Sequence, residues 1–198
     1  FAGAMATVEW FEPPSRFKGT LVEFLPDYAF FKSSVEELRD SLSAFLTRRG
    51  LELAATRKLR VTYNGQTLRC RDMREMAKLY APALTTSDIA FVRGTEGATD
   101  DRWEAAIVPK ISGPVVSSFV NGIPTPLGGT HVLAYNPVLR QVAVALTTQR
   151  ESVTLADVQR SSTLFVAAVV ENPVFNHQGK TKLTSKRSTW GSEPRLGN

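Results

Sequence analysis

Cysteine and histidine are scarce in this 198-residue chain, and that scarcity removes whole classes of chemistry. Cys70 stands alone, so no internal disulfide forms and no zinc framework is supported. His131 and His177 are the only histidines, and neither carries the Cys or carboxylate spacing that a zinc or calcium site demands. The longest wholly apolar run, 164–170, falls far short of the roughly 20 residues of a membrane helix, so no membrane partner is expected. A secretory signal, an internal repeat, the G-x-x-x-x-G-K-[ST] and G-x-G-x-x-G phosphate loops and the G-x-S-x-G nucleophile elbow are all missing. Residues 1–5, with Gly3-Ala4-Met5, read as an expression scar and are left out of fold reasoning.

What is present is an ordinary globular balance, 42% hydrophobic and 22% charged, which argues against disorder. The net charge of +5 is concentrated at one end. Residues 176–198 carry Lys180, Lys182, Lys186, Arg187 and Arg195 against Glu193 alone, a balance of +4. Such a segment favours anionic partners such as phosphates or nucleic acid; a solvated basic tail is the other reading.

Local patterns give a sequence of elements. Val22 and Phe24, between Gly19-Thr20 and Pro26-Asp27, predict a strand closed by a turn. Ser34 and Glu37 have capping-box spacing, Val35, Leu38, Leu42, Phe45 and Leu46 share one helical face, and Arg48-Arg49-Gly50 predict the stop. Leu59, Val61 and Tyr63 alternate with polar residues up to Asn64-Gly65, a strong hairpin signal, with Leu68 and Cys70 on the return. Asp72 and Glu75 predict the cap of a second helix with Met73, Met76, Ala77 and Tyr80 on its buried face. Polar stretches on both sides of residue 90 place a domain boundary near 85.

Beyond it, 102–108 and 115–120 read as strands of an antiparallel pair turning at Ser112-Gly113-Pro114, and 121–129 as a loop. Pro137 leaves two geometries for the next helix: a kinked start at Thr130, or a regular portion with Asn136 as N-cap and Pro137 at its first position, the favoured one. Thr154 and Asp157 cap a short helix, and 163–170 is a buried strand ended by Glu171-Asn172-Pro173. The whole is an α+β chain with two sheets.

Candidate chemistry is confined to the loop 175–183. On an extended segment Gln178 and Lys180 project to one side, so an amide and an ammonium converge on one phosphate, with Gly179 between them adding no bulk. A lysine point charge suits a terminal phosphate. A solvated basic loop is the competing reading. His131, after Gly128-Gly129-Thr130, reads as a helix-start residue bonding backbone rather than as a base.

The stretch Ser118-Phe119-Val120-Asn121-Gly122-Ile123-Pro124-Thr125-Pro126-Leu127-Gly128-Gly129-Thr130-His131 resembles the S-F-V-N-x-I-x-T-x-x-G-G-T-H segment of type IIA DNA topoisomerases. Glu171-Asn172-Pro173-Val174-Phe175 and the Gln178/Lys180 loop follow it at the distance found in that family's transducer domain. Gly19-Thr20-Leu21-Val22-Glu23-Phe24-Leu25-Pro26-Asp27 is similar to the strand that ends the family's ATP-binding domain. Arg60 to Gly65 and Asp101 to Glu104 look like the eukaryotic and viral branch, topoisomerase II, rather than bacterial gyrase. The likeness covers about residues 17–192.

The resemblance implies the C-terminal half of a GHKL (Bergerat) ATPase α/β sandwich, residues 1–86, followed by a ribosomal protein S5 domain 2-like transducer, residues 87–198. It implies an ATP-hydrolysing DNA topoisomerase in the intact protein, coupling ATP at a dimeric N-gate to passage of double-stranded DNA. Matched residue by residue, Lys180 would contact the γ-phosphate with Gln178 beside it, and Gly19 and Thr20 would lie on the adenine side. ATP and Mg2+ are the implied cofactors and a homodimer the implied assembly. The family's magnesium box, its two glycine-rich boxes and its cleavage region are not found, so they are expected outside this chain and the fragment alone is expected to be inactive. The compartment implied is intracellular and DNA-containing, the nucleus first, an organelle or viral replication site otherwise. Two departures stand out: Gly179 occupies the threonine position of the family's Q-T-K, and Pro137 interrupts its crossover helix. A non-catalytic nucleic-acid clamp with the same fold is the alternative, and an RNA-binding module a remote third, because aromatic and basic residues are not interleaved.

Overall fold

The computed structural model describes residues 18–24, 27–112, 116–147 and 151–196. The expression-scar reading of residues 1–5, Pro26, and the turn expected at Ser112-Gly113-Pro114, of which only Ser112 is described, therefore lie wholly or mostly outside the described residues. Two compact units divide the chain, Phe1–Asp40 and Ser41–Asn198, and each is treated by itself.

In the first unit the strand expected over 19–24 is not formed. Residues 18–24 are irregular, and Leu21, Val22 and Phe24 are 63–76% exposed. A strand is stabilised only by pairing, and the described residues of this unit include no second strand. A single turn, α1 (Tyr28–Phe31), follows, capped by Asp27, whose carboxylate accepts from the Phe30 amide at 3.0 Å. The helix α2 (Val35–Arg57) then starts where the capping box places it, with reciprocal Ser34–Glu37 bonds of 3.1 Å.

Gly50 does not stop α2, which runs on to Arg57. A Cβ at Gly50 would lie 2.4 Å from Leu68 Cδ1, so this glycine serves close approach to the neighbouring hairpin rather than a C-cap. Lys58, in the left-handed region at φ +55°, ends the helix, and its ammonium bonds the Ala55 carbonyl at 2.8 Å. Arg48 and Arg49 are consequently mid-helix and pair with buried Glu52.

The hairpin β1 (Val61–Tyr63) and β2 (Gln66–Leu68) is turned by Asn64 and Gly65, both at positive φ, as an Asn-Gly pair predicts. Next, α3 (Met73–Tyr80) is capped by Asp72, which accepts from the Glu75 amide at 2.9 Å, and Met73, Met76 and Ala77 are buried as expected.

A five-stranded sheet follows, built from β3 (Ala90–Arg93), β4 (Trp103–Pro109), β5 (Val116–Val120), β6 (Ile123–Pro124) and β7 (Ser162–Ala168) in the order β3-β4-β7-β5-β6. The expected β4–β5 hairpin is therefore wrong: β7 lies between them, antiparallel to β4 and parallel to β5. The reason is burial. β7 has Leu164, Val166 and Ala168 on one face and Phe165 and Ala167 on the other, apolar on both sides, and only the sheet centre buries both. Leu164, Phe165 and Val166 each contribute about 2 kcal/mol on leaving water, and the two alanines less.

One face packs Ala106, Val108, Phe119 and Phe165 against α3; the other packs Trp103, Ala105, Val166 and Leu183 beneath the crossover helices. These are α4 (Thr130–Leu133), α5 (Asn136–Leu146) and α6 (Leu155–Ser161), the last held by its Thr154–Asp157 capping box. Pro137 sits in the first turn of α5, but the N-cap is Tyr135, one residue earlier than expected. A separate turn at Thr130 precedes it, so both geometries hold in part.

The basic C-terminal segment is not a solvated tail. Trp190 is buried, its ring centroid 5.2 Å from that of Trp103, and the Glu96 amide donates to the Glu193 carbonyl at 2.8 Å. Arg187 pairs with Glu193 at 2.6 Å, and Arg195 donates to the Ala98 carbonyl at 3.2 Å.

Candidate functional site

The resemblance motif folds into one continuous support. Asn121 at φ +52° and Gly122 at φ +80° turn β5 into β6. The Asn121 amide group clamps Val170 both ways: Nδ2 donates to its carbonyl at 3.0 Å and Oδ1 accepts its amide at 2.9 Å. The end of β7, from which the 171–183 loop departs, is thereby fixed to the turn.

The returning arm of that loop is stitched to Gly128-Gly129-Thr130. The Leu127 amide donates to Thr181 O at 3.0 Å, Leu183 N to Gly128 O at 3.2 Å, and Thr130 N to Leu183 O at 3.1 Å. At Gly129, φ +141°, a Cβ would lie 2.4 Å from the Leu183 carbonyl oxygen, which is why no other residue fits. An open groove of about 730 Å3 runs beside this seam, lined by Pro126, Leu127, Leu133 and Lys182 among others.

His131 is fully buried, and it does not bond backbone as expected. Its Nε2 lies 3.3 Å from the Thr125 hydroxyl, which is 2.7 Å from that of Ser118, and its Nδ1 has no partner among the described residues. Burial pushes its pKa down to about 4, so the ring is neutral at pH 7. It is a structural residue inside the motif.

The tip of the loop is exposed at Asn176, His177, Gln178 and Gly179, with Lys180 half-buried. The extended geometry expected for Gln178 and Lys180 is not found. The Lys180 amide donates to the His177 carbonyl at 2.9 Å, closing a tight turn, and Lys180 takes φ +55°. Strand alternation thus does not aim the two side chains; the turn does. The Lys180 ammonium stands 5.9 Å from the centroid of the Phe175 ring and forms no ion pair among the described residues. An unneutralised ammonium and an exposed amide on one tip fit a phosphate oxyanion. Gly19 and Thr20 belong to the other compact unit, in exposed irregular chain. Among the described residues no three His, Cys, Asp or Glu side chains group as metal ligands.

Sequence reasoning missed two contributors. Asn121 acts as a clamp, which no local pattern announces because Val170 is 49 residues away. His177 braces the tip: its Nδ1 accepts the Gly179 amide at 3.0 Å and its Nε2 lies 3.0 Å from the Thr181 hydroxyl. The turn-forming composition Asn176…Gly179 was the signal available for it.

Comparison with known proteins shows the family and the fold. A family model for DNA gyrase B matches residues 72–193. DNA topoisomerase 2 of Penicillium chrysogenum is 32% identical over 186 residues, covering 88% of this chain and 11% of that protein. The ATPase and transducer domains of DNA topoisomerase II from Balamuthia mandrillaris superpose with a TM-score of 0.61 at 33% identity, covering 77% of this chain and 38% of that one. The ATPase region of Saccharomyces cerevisiae topoisomerase II gives 0.61 at 27% identity, over 76% and 38%. The chain spans only 11–13% of the length of such curated relatives. It belongs to the DNA gyrase B family of type IIA DNA topoisomerases, as part of the GHKL ATPase and transducer region.

Proposed function

We propose that this chain is the coupling portion of an ATP-dependent type IIA DNA topoisomerase and that Lys180, with Gln178 beside it, senses the γ-phosphate of ATP. The observation that carries the reading is the exposed turn whose ammonium has no carboxylate partner among the described residues, mounted on the seam of the Gly128-Gly129-Thr130 segment. An ammonium held there gains a partner when a terminal phosphate is present and loses it when that phosphate leaves, which gives two states of different free energy. The rigid seam transmits the difference to the sheet through Leu183 and Asn121.

In this reading residues 1–86 are the trailing part of the nucleotide-binding domain, with Gly19 and Thr20 toward the adenine, and 87–198 are the transducer. Magnesium would be held by residues outside this chain. The intact protein would act as a homodimer on double-stranded DNA, in the nucleus or another DNA-containing compartment. The alternative of a clamp using a free basic tail is disfavoured by the internal engagement of Arg187 and Arg195.

The test is Lys180→Ala in the intact enzyme. ATP turnover falls by about 10²-fold or more, in the range of removing one preorganised charge from a transition state, while ATP-independent DNA cleavage is unchanged. Unchanged turnover refutes the proposal. Salt-dependent DNA binding with no response to nucleotide supports the clamp instead.

A further inference from the structure

We infer that His177 is the positioning residue for Lys180: its imidazole braces the phosphate-sensing turn in the space that a side chain at position 179 would fill. The inference rests on the phosphate-sensing role proposed for Lys180.

Exposed histidines ordinarily rotate freely, yet both nitrogens of this ring are engaged. Nδ1 accepts the Gly179 amide at 3.0 Å. The ring proton is therefore on Nε2, where it donates to the Thr181 hydroxyl 3.0 Å away. That hydroxyl is held in turn by the Asn176 side-chain amide at 3.0 Å, and Asn176 Oδ1 accepts the Lys182 amide at 3.0 Å. The ring thus ties the middle of the turn to its returning arm, across the residue that bears the ammonium.

Lys180 needs such support. At φ +55° it occupies the left-handed region, which is unfavourable for a lysine. The brace also explains Gly179, whose φ is not positive. A Cβ there would come within 2.8 Å of His177 Cε1 and 3.0 Å of Nδ1. A side chain at 179 would displace the imidazole from the position its two bonds fix, so the glycine is the counterpart of the braced histidine. Position 179 is where the resembling family carries threonine; here the bulk is supplied from position 177 instead.

A double-mutant cycle in the intact enzyme tests this, with Lys180→Ala as the reference. His177→Ala lowers kcat/KM for ATP hydrolysis by about 10- to 100-fold, the scale of a misplaced contact, and leaves ATP-independent DNA cleavage unchanged. Gly179→Thr alone also lowers it. The double variant His177→Ala with Gly179→Thr recovers most of the loss, because the new side chain refills the vacated space. In the 198-residue chain, the imidazole nitrogen resonances of His177 report the Nε2–H tautomer, and His177→Ala shifts the Lys180 amide without lowering the unfolding midpoint. Additive losses in the double variant, or wild-type kcat/KM in His177→Ala while Lys180→Ala is inactive, overturn the inference and leave the role of Lys180 standing. Full turnover in Lys180→Ala removes both.

Discussion

Acidification should weaken this fold well before its carboxylates titrate, and His131 sets the size of the effect. The ring is wholly buried; among the described residues Nε2 meets the Thr125 hydroxyl and Nδ1 meets no partner, and the pKa is depressed to about 4 from 6.5. The unfolded chain accepts a proton on this histidine near pH 6.5, whereas the folded chain resists until about pH 4. Stability is therefore intact above pH 6.5, falls as pH drops through that window, and levels off below about pH 4. Two and a half units correspond to about 3 kcal/mol in the limit and about 2 kcal/mol at pH 5. Glu75, Asp88, Asp100 and Asp157 are all held below the usual carboxylate range by hydrogen bonds to Arg71, Thr85, Thr95 and Thr154 respectively, so their own acid-side losses fall below pH 5. Urea unfolding at pH 7.5 and pH 5.0 isolates the histidine. The wild-type chain should lose about 2 kcal/mol between them, and His131→Gln, which keeps a partner for Thr125 but cannot titrate, should lose less than half of that. An equal loss in the variant, or none in the wild type, would refute the reasoning.

Glu104 is buried and gathers Lys58 at 2.5 Å, Arg93 at 3.0 Å and the Met73 amide at 3.2 Å. Glu104→Ala should cost roughly 2–4 kcal/mol in urea unfolding, less than for a fully enclosed pair because both cations are partly exposed. Gly129→Ala and Gly65→Ala form a contrast: the first drives a Cβ into Leu183 backbone and should cost roughly 3 kcal/mol or more, while the second, at φ +76° with open space around it, should cost about 1 kcal/mol. Burial, and then the carboxylates of Glu75 and Asp72, push the Cys70 thiol up to about 12. A disulfide-exchange reagent at pH 8 should accordingly leave it unmodified in the folded chain and label it fully in 6 M guanidinium.

Features decided by neighbours within four residues were legible in the sequence. Ser34 with Glu37, Asp72 with Glu75 and Thr154 with Asp157 each cap a helix by chemistry contained in one turn, and Asn64-Gly65 turns a hairpin because both φ values must be positive. Gly50 was misread because glycine ends helices and also permits close packing, and only Leu68, eighteen residues on, distinguishes the two. The β4–β5 pairing failed for a similar reason: proximity in sequence favours a hairpin, but a strand apolar on both faces claims the centre of the sheet. At the site the sequence offers Gln178 and Lys180 as candidates, but not the geometry of the turn that carries them. Gln178 and Lys180 sit on an exposed tip, yet their directions come from a histidine brace and a left-handed lysine, neither of which an alternation argument contains.

A structure of the intact ATPase region bound to a non-hydrolysable ATP analogue shows whether the Lys180 ammonium meets the terminal phosphate. Lys180 Nζ should lie about 3 Å from a γ-phosphate oxygen, with the Gln178 amide alongside. A nucleotide whose γ-phosphate is bound by other cations while the 176–181 turn faces solvent would contradict it.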